Sequence, residues 1–386
     1  MMAFFLGVLL FFLSIAGLYL CALGAASLLA KPDEYKSDFS FKCFAIVIPA
    51  HNEEYGLQAT LSSLALLDYP RNLFEIIVVA DNCTDGTAAL ARRLGVRCLE
   101  RNDVDRKGKG FALAFAFERL LMEKFDAFIV LDADNIISCN FLKVMSSRLQ
   151  YGQLIVQSKN TVKNPLFNAL TWILAVGNSI ENILYCAGKT RVGLSSPLRG
   201  TGMCFSRNIL AVFPWDANSI AEDAEYGLSL VQNGKKIYFS EESEVMSDAP
   251  TTLNMLLSQR IRWASGNMHL ARKSAFHLML SGIRNRNIDL LDSGWSMLVR
   301  SKPLLLASAF FVFLISLIAQ QWMIWSSLVL LMWVAYFGAG LWVSGISRQS
   351  LRLTLVSPFY LFWLVGVAIC GVVGFRRRQW VRTGRK

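Results

Sequence analysis

The sequence predicts an α/β protein in which a central domain, built on a parallel sheet, is flanked by apolar helices at both ends of the chain. Short apolar runs alternate with helical patterns in the first half of this central part. Hydrophobic residues make up 54% of the 386-residue chain, and the excess lies in roughly the first thirty and the last eighty positions. About 270 residues of ordinary composition remain between them, enough for one large or two small domains.

The N-terminal stretch Ala3–Ala30 contains no charged residue and predicts a transmembrane helix over residues 1–31. As a helix it would be ~42 Å long, which exceeds the ~30 Å hydrocarbon core of a bilayer. A cleaved signal peptide is the alternative, but the basic residue it needs is missing from Met1–Ala3. The positive-inside rule predicts a cytoplasmic central domain, because three lysines follow the stretch: Lys31, Lys36 and Lys42.

Four apolar runs predict buried strands: Phe44–Pro49, Glu75–Ala80, Val96–Leu99 and Phe128–Leu131. Three helices are predicted between these strands. Leucines recur at helical spacing from Leu57 to Leu67, Thr87–Leu94 is a helical stretch that ends at Gly95, and Phe111–Lys124 follows a basic, Gly-rich loop. This alternation predicts a parallel sheet, and ligands of such sheets bind beyond the carboxyl ends of the strands. Polar residues follow each of these strands, so we expect a site at that edge.

The second half of the central part is also predicted to mix helices with strands. Predicted helices are Asn140–Gln150, Asn164–Gly188 and a segment from about Glu222 to Gly234, and predicted strands are Leu154–Gln157, Met203–Phe205 and Lys236–Ser240. Ser219 and Glu222 have capping-box spacing, and Arg199–Gly202 forms a flexible turn. Gln259–Trp263 lies on a helix that runs towards the membrane.

The C-terminal third contains an interfacial helix and a membrane region. Ile288–Val299 predicts the interfacial helix, placed at residues 285–302. Three apolar runs follow within residues 303–375: Leu304–Ala319, Trp322–Val343 and Leu355–Gly374. Three full spans after an N-terminal one would put the C-terminus outside, so we expect two full spans and one interfacial or re-entrant run.

The formal net charge of +11 indicates a membrane surface rather than a nucleic acid as partner. Six basic residues crowd into residues 376–386, directly after an apolar run. Anionic headgroups are therefore the expected partner of this basic cytoplasmic tail, and no nucleic-acid partner is expected.

The cysteines and histidines do not have the spacing of a zinc site. The chain contains eight Cys and three His, and no CxxC pair. Apolar settings around Cys43 and Cys139 predict buried thiols in a reducing compartment.

Asp132 and Asp134 are the centre of the predicted site, because two carboxylates at the end of one strand can bind one ion. They are hard oxygen ligands suited to Mg²⁺ or Mn²⁺ carrying a diphosphate. Asp81, at a neighbouring strand end, suits a base or a ribose, and Lys107 or Lys109 could reach phosphate. Each feature also has a plain structural interpretation, since short acidic pairs are common and basic loops are often only solvated.

Three further residues complete the predicted chemistry. Asp223 is the candidate general base for an incoming hydroxyl, Arg262 suits a phosphate, and the Trp263 ring suits a sugar face. The structural alternatives are a capping role for Glu222, a helix-dipole role for Asp223 and an interfacial role for Arg262 and Trp263.

Five motifs in this order resemble the inverting family-2 glycosyltransferases, in particular the membrane-bound branch that includes cellulose, hyaluronan and poly-N-acetylglucosamine synthases. The resemblance covers roughly residues 42–270. The motifs are Ile46–Glu54, Asp81 with Asp85–Thr87, Asp132–Asp134, Glu222–Asp223 and Gln259–Trp263. The last, Q-x-x-R-W, is the most diagnostic.

The resemblance implies a GT-A (Rossmann-like) catalytic domain, a nucleotide-sugar donor such as a UDP-sugar, and Mg²⁺ or Mn²⁺. Asp223 would be the catalytic base, and Asp134, with Asp132, would hold the metal. The residues implied for the donor are Pro49, Glu53, Asp81, Lys109, Asp132, Asp134, Gln259, Arg262 and Trp263. The residues implied for the acceptor are Gly200, Thr201, Gly202, Glu222 and Trp263.

The acceptor is left open between two chemistries. One is a growing cell-surface or exported polysaccharide, and the other is a lipid that receives a single sugar. Members that add one sugar to a lipid also carry Q-x-x-R-W, and the chain is shorter, with fewer spans, than large processive synthases. The predicted protein is a multi-pass enzyme of a bacterial inner or plasma membrane, in contact with membrane lipids, and a non-catalytic membrane scaffold is the minor alternative.

Overall fold

A computed structural model describes residues 2–31, 34–216, 219 and 221–373. The chain divides into two compact units, which we describe separately. The helical unit comprises Met1–Lys31, Asn164–Leu194 and Ala249–Lys386, and the sheet unit comprises Pro32–Lys163 and Ser195–Asp248. The predicted domain 42–270 thus takes residues from both units, and the predicted tail 376–386 lies outside the described residues.

The helices that the structure describes are α1 (Met2–Leu29), α2 (Leu57–Ala65), α3 (Thr87–Arg93), α4 (Lys109–Leu120), α5 (Phe141–Gln150), α6 (Ala169–Ser179), α7 (Gly188–Arg191), α8 (Arg207–Val212), α9 (Glu222–Gln232), α10 (Leu253–Arg284), α11 (Ile288–Leu298), α12 (Lys302–Ala319), α13 (Met323–Val343) and α14 (Arg348–Val373). A π-helical segment, Ile180–Ala187, joins α6 to α7, and a short 3₁₀ turn, Arg71–Leu73, precedes the second strand.

The strands are β1 (Phe44–Ala50), β2 (Phe74–Asp81), β3 (Arg97–Arg101), β4 (Ala127–Val130), β5 (Ile136–Ile137), β6 (Ile155–Val162), β7 (Met203–Ser206) and β8 (Tyr238–Ser247). They form one eight-stranded sheet in the order β3-β2-β1-β4-β7-β6-β8-β5.

The sheet is mixed, so the prediction of a parallel sheet is correct for one half only. Strands β3, β2, β1 and β4 are parallel neighbours. Strand β7 runs antiparallel to both β4 and β6, and β5 runs antiparallel to β8. The reason is the connection: β7 follows the long excursion of residues 164–194 through the helical unit, so no short β-α-β crossover sets its direction.

The core of the sheet unit lies against β1 and β4. Every residue of both strands is buried, which is why they read as continuous apolar runs in the sequence. Leu57, Leu61 and Leu64 on α2 are buried in the same cluster, and Ala133 also belongs to it. This packing places the carboxyl ends of the parallel strands at one edge of a rigid sheet.

Three described helices are long and apolar enough to cross a membrane: α1, α12 and α13. The predicted N-terminal helix corresponds to α1, and two of the three C-terminal apolar runs lie in α12 and α13. The remaining run is part of α14, and the expectation that two runs are full spans and one is interfacial or re-entrant stays a prediction. The predicted interfacial helix forms as α11, and its contact with a membrane also stays a prediction.

Buried charges inside the helical unit are paired. Lys189 forms an ion pair with Asp292 at 2.7 Å, and the Tyr19 hydroxyl donates to the same carboxylate at 2.7 Å. Lys302 pairs with Glu181 at 2.6 Å. These contacts link α1, α7, α11, α12 and the π-helical segment. Separating these elements would leave a buried charge unpaired, which is energetically costly.

The eight cysteines are all free thiols, as their scattered positions in apolar settings predict. The expectation that they are buried is correct for Cys186 and Cys204 only. Cys139 is exposed, because it lies in the turn between β5 and α5 rather than inside a strand. Five others are partly exposed.

Candidate active site

The carboxyl ends of β1 to β4 carry the polar residues that the sequence predicts for the site. His51–Glu54 follows β1, Asp81 ends β2, and Asp132–Asp134 follows β4. Lys109 begins α4, after the loop that leaves β3. Because these four strands are parallel neighbours, the residues lie along one edge of the sheet.

Asp81 is buried and held by several donors. Its Oδ1 accepts from Arg101 at 2.6 Å and from the Asn82 amide at 2.9 Å. Its Oδ2 receives a weak contact of 3.4 Å from the Gly108 N–H. Arg101 also donates to Asp103 at 2.9 Å. The cation gives the buried carboxylate a fixed orientation, as a residue that reads a base or ribose requires.

The segment after β1 is fastened to the segment after β2. His51 Nδ1 lies 2.7 Å from the Asp81 carbonyl oxygen. The Glu53 N–H donates to the Thr87 hydroxyl at 2.8 Å. Pro49 is buried within β1, opposite Val79. The donor-binding roles of Pro49 and Glu53 stay predictions.

Lys109 contacts both the acidic pair and the loop that contains Gly200, which comes much later in the sequence. Its ammonium group forms an ion pair with Asp132 and donates to the Gly200 carbonyl at 2.7 Å. Lys107, the alternative considered from the sequence, is exposed. The structure therefore favours Lys109 over Lys107 as the cation near the acidic pair.

The turn that carries the two aspartates has alternating burial. Ala133 is buried, whereas Asp132 and Asp134 on either side are half-buried. The Asn135 amide donates to Asp134 Oδ1 at 3.2 Å, and the Thr60 hydroxyl donates to the Ala133 carbonyl at 2.8 Å. Both residues are thus only half-buried, while the backbone of the turn between them is anchored.

The donor set fits a divalent cation that is carried by a substrate. Among the described residues, no group of three or more His, Cys, Asp or Glu side chains could hold a metal alone. Mg²⁺ is commonly bound through one or two carboxylates together with substrate phosphates. Asp132 and Asp134 supply that number of carboxylates.

Glu222 and Asp223 lie in the first turn of α9. The capping-box interpretation of Glu222 is wrong, because the helix begins at Glu222 itself and its N-cap, Ala221, makes no side-chain cap. An ideal Cβ on Gly200 would lie 3.2 Å from Asp223 Oδ2 and 3.7 Å from Lys109 Nζ. Asp223 therefore faces the same small space as Lys109.

The charges in this space alter the pKa of two side chains. Burial raises the pKa of the Glu222 carboxyl to about 7, and the charge of Asp223 adds to the shift while Lys109 opposes it. Burial on its own lowers the pKa of Lys109, but the carboxylates of Asp132, Glu222 and Asp223 raise it above its ordinary value. Lys109 is therefore a permanent cation, and Glu222 changes its charge near neutral pH.

Glu222→Gln is expected to make the stability of the protein fall less as the pH rises. Folded Glu222 keeps its proton up to about pH 7, whereas the ordinary pKa is 4.5. Its contribution is therefore fully present below the unfolded pKa and is lost as the pH rises through the folded value. Thermal unfolding in detergent from about pH 5 to about pH 8 should show a smaller decrease for the variant. Parallel pH curves for the two proteins would contradict the raised pKa.

Gly202 holds the loop against β6 and β8. Its φ is +64°, and an added Cβ would lie 1.8 Å from Ser158 Oγ and 2.7 Å from Val245 Cγ2. The Gly202 N–H donates to the Val130 carbonyl at 2.8 Å. Only glycine therefore fits at this position.

Gly202→Ala is expected to destabilise the protein by about 3 kcal/mol, because the left-handed backbone strain and the steric overlap add. Gly152→Ala is the matched control, since Gly152 has φ +83° but no heavy atom within 4 Å of its ideal Cβ. The control should lose only about 1 kcal/mol, from strain. If the two variants showed equal shifts in unfolding temperature, the side chains around position 202 would have moved to accommodate the added Cβ, and the predicted difference would be wrong.

The Q-x-x-R-W residues lie on α10, in the helical unit. Trp263 is 44% exposed, and the Arg260 guanidinium lies 5.5 Å from the centre of its ring. The donor and acceptor roles of Gln259, Arg262 and Trp263 stay predictions.

Two residues at the site edge were missed by the sequence reasoning. Arg101 was placed outside a strand, whereas it ends β3 directly opposite Asp81. Asn135 is buried and contacts Asp134, and its position next to the acidic pair was the only signal. Neither contact can be recognised before the strand register is known.

Comparison with known proteins identifies a family over more than half of the chain. The sequence profile described as Glycosyltransferase like family 2 matches residues 42–266. "Probable glycosyltransferase YdaM" of Bacillus subtilis (strain 168) is 28% identical over 242 residues, which cover 59% of this chain and 56% of the relative. "Poly-beta-1,6-N-acetyl-D-glucosamine synthase" of Staphylococcus aureus (strain COL) is 25% identical over 264 residues, covering 66% and 61%. The chain thus spans less than two thirds of each of these curated relatives.

A solved structure of a mannosyltransferase is similar in fold over nearly the whole chain. It is the mannosyltransferase PcManGT from Pyrobaculum calidifontis, in complex with GDP-Man and Mn²⁺. The TM-score is 0.57 at 16% sequence identity, and the match covers 95% of this chain and 100% of that one. This likeness shows the fold, so the α/β architecture with its mixed sheet is GT-A-like, as predicted.

Proposed function

The chain belongs to glycosyltransferase family 2, and from this membership we propose that it transfers a sugar, with inversion, from a nucleotide sugar to a membrane-associated acceptor. A UDP-sugar is the proposed donor, and a cell-surface or exported polysaccharide is the proposed product. The catalytic part works at the cytoplasmic face of a bacterial inner or plasma membrane, where α1, α12 and α13 anchor the protein as a multi-pass enzyme.

The contacts of Lys109 carry this proposal. Its ammonium group bonds Asp132 and the Gly200 carbonyl, and Gly200 is the point at which Asp223 Oδ2 comes close. Lys109 thus lies between the candidate diphosphate-binding residues and the candidate base. A displacement reaction requires this arrangement, because negative charge develops on the leaving group while the acceptor loses a proton.

In the proposed reaction, the acceptor hydroxyl oxygen forms a bond to the anomeric carbon as the bond from that carbon to the diphosphate oxygen breaks. The hydroxyl proton moves to Asp223, and the bonding electron pair leaves with the nucleoside diphosphate. Attack on the opposite face inverts the anomeric carbon. Lys109 stabilises the negative charge that grows on the diphosphate.

Two carboxylates of this chain would hold Mg²⁺ or Mn²⁺. Asp134 would be the first ligand and Asp132 the second. The cation would supply further charge stabilisation at the leaving group. Asp81, held by Arg101, would orient the base or ribose of the donor.

Single-sugar transfer to a lipid is the second candidate function. It is favoured by the three candidate spans among the described helices, because export of a polymer requires a tunnel built from several helices. The nature of the acceptor therefore decides between the two functions, while the site chemistry is the same for both.

A donor screen tests the proposal. Membranes that contain the protein are given labelled UDP-glucose, UDP-N-acetylglucosamine or GDP-mannose, with Mn²⁺, with Mg²⁺ or with chelator. We expect transfer from one donor that stops in the chelator, and the product length on a sizing column distinguishes polymer from single addition. A lack of transfer from every donor would contradict the proposed function.

A further inference from the structure

The loop Arg199–Gly202 lies between the three groups that the proposed reaction uses. The Gly200 carbonyl accepts from Lys109 at 2.7 Å. The Thr201 hydroxyl accepts from the Asp132 N–H at 3.1 Å and donates to Asn135 Oδ1 at 2.5 Å. Asn135 in turn donates to Asp134. A shift of this 199–202 loop would therefore move contacts to both aspartates at once.

The same loop also faces the candidate base. A Cβ on Gly200 would lie 3.2 Å from Asp223 Oδ2, so the carboxylate lies beside the loop backbone and a side chain at position 200 would crowd it. The loop consequently forms one wall for Asp223 and one support for the acidic pair.

One buried side chain holds the loop from behind. Gln157 on β6 is fully buried. Its Oε1 accepts from the Arg199 N–H at 2.8 Å, and its Nε2 donates to the Thr201 carbonyl at 2.8 Å and to the Ser158 carbonyl at 3.0 Å. The amide thus uses its acceptor and both donor hydrogens, two of these bonds going to the loop backbone.

The position of Gln157 makes this support stiff. In the sheet it stands opposite Met203 of β7 and Phe239 of β8, so the strand that carries it is paired on both sides. A side chain locked in this way can transmit the rigidity of the sheet to a loop that has glycine at two of its four positions.

We propose that Gln157 is a positioning residue that fixes the 199–202 loop and thereby holds Asp223, Lys109 and the acidic pair in register. The inference rests on the proposed function, since it concerns the alignment of groups in that reaction. Gln157 itself touches neither donor nor acceptor in this proposal. Misplacement of reacting groups by about 1 Å can lower a rate by about a hundredfold, so the loss of both tethers should affect turnover more than binding.

The test compares Gln157→Met, which keeps the volume but removes both loop tethers, with the unmodified protein. We expect kcat to fall at least about tenfold, while the dissociation constant for the nucleoside diphosphate with Mn²⁺ changes less than about threefold. Gln157→Asn keeps a buried amide that is too short to reach both partners, and it serves the same test if the first variant does not fold.

A double-variant cycle with Thr201→Val separates positioning from general weakening of the fold. Because Gln157 and Thr201 act through one loop, the double variant should be no more than about threefold slower than the slower single variant. Ser146→Ala is the control, since Ser146 is fully buried in α5 and bonds Tyr69 at 2.6 Å, a contact that involves no site residue. It should lower the unfolding temperature and leave kcat unchanged.

Two results would overturn the inference: a kcat for both Gln157 variants within about twofold of the unmodified protein, or losses that multiply in the double variant. Failure of the proposed function gives a different result, because the unmodified protein would then transfer no sugar from any donor.

Discussion

Asp223→Asn is expected to lower the rate of sugar transfer by about 10²- to 10⁴-fold, because an amide cannot accept the proton of the acceptor hydroxyl. The Asn side chain has nearly the same shape and size as the Asp side chain, so the 199–202 loop should keep its position beside residue 223. Binding of the nucleoside diphosphate should therefore be retained, and the loss should appear in kcat.

The measurement is labelled transfer in membranes at saturating donor, together with nucleotide binding to the purified protein. Asp68→Asn is the matched control. Asp68 is an exposed acid of the same unit that pairs with Lys143, and it precedes the amino end of β2, whereas the site residues follow strand ends. The control should keep its full rate. An Asp223→Asn protein that transfers sugar at the unmodified rate would exclude Asp223 as the base.

Asp134→Asn is expected to lower the metal-stimulated rate by at least about a hundredfold, because charge stabilisation by a bound cation is worth several kcal/mol at a developing anion. An amide oxygen is a weaker ligand than a carboxylate for Mg²⁺ or Mn²⁺. Mn²⁺-dependent retention of the nucleoside diphosphate should fall in parallel, and this binding measurement does not depend on turnover.

Asp132→Asn is the comparison for this second variant. Asp132 is already ion-paired with Lys109, and the neutral Asn135 amide donates to Asp134 Oδ1 at 3.2 Å. We therefore expect the Asp134 variant to lose more Mn²⁺ affinity than the Asp132 variant. In the presence of chelator, the nucleotide affinities of the two variants and the unmodified protein should converge. Full Mn²⁺ stimulation of the Asp134 variant would remove Asp134 from the proposed ligands.

The agreement between the predicted and observed elements is best where the signal is local. The apolar runs predicted for β1, β2 and β4 match the observed strands to within about one residue at each end, because a strand buried on both faces needs an unbroken apolar run. Boundaries set by longer-range contacts were less accurate. The predicted helix from Phe111 begins at Lys109 instead, which moves that lysine from a loop to the first turn of α4.

The errors have a common physical origin in pairing between distant segments. The antiparallel direction of β7 depends on the return of the chain from the helical unit. The contact of Arg101 with Asp81 depends on the register between β2 and β3. Gln157 looked like the last residue of an ordinary strand, and its role as a tether is visible only with Arg199 and Thr201 in place.

The α/β class could therefore be predicted without coordinates, as could the apolar helices near both ends, the family, and the order in which the candidate acids occur along the chain. Each of these depends on residue type and short-range spacing. The tertiary structure alone decided that Lys109 rather than Lys107 meets Asp132, that Arg101 holds Asp81, and that Gln157 supports the loop beside Asp223. Those contacts join residues that are 20 to 44 positions apart. Strand order and register, which bring them together, are set by the packing of the whole sheet rather than by any local pattern.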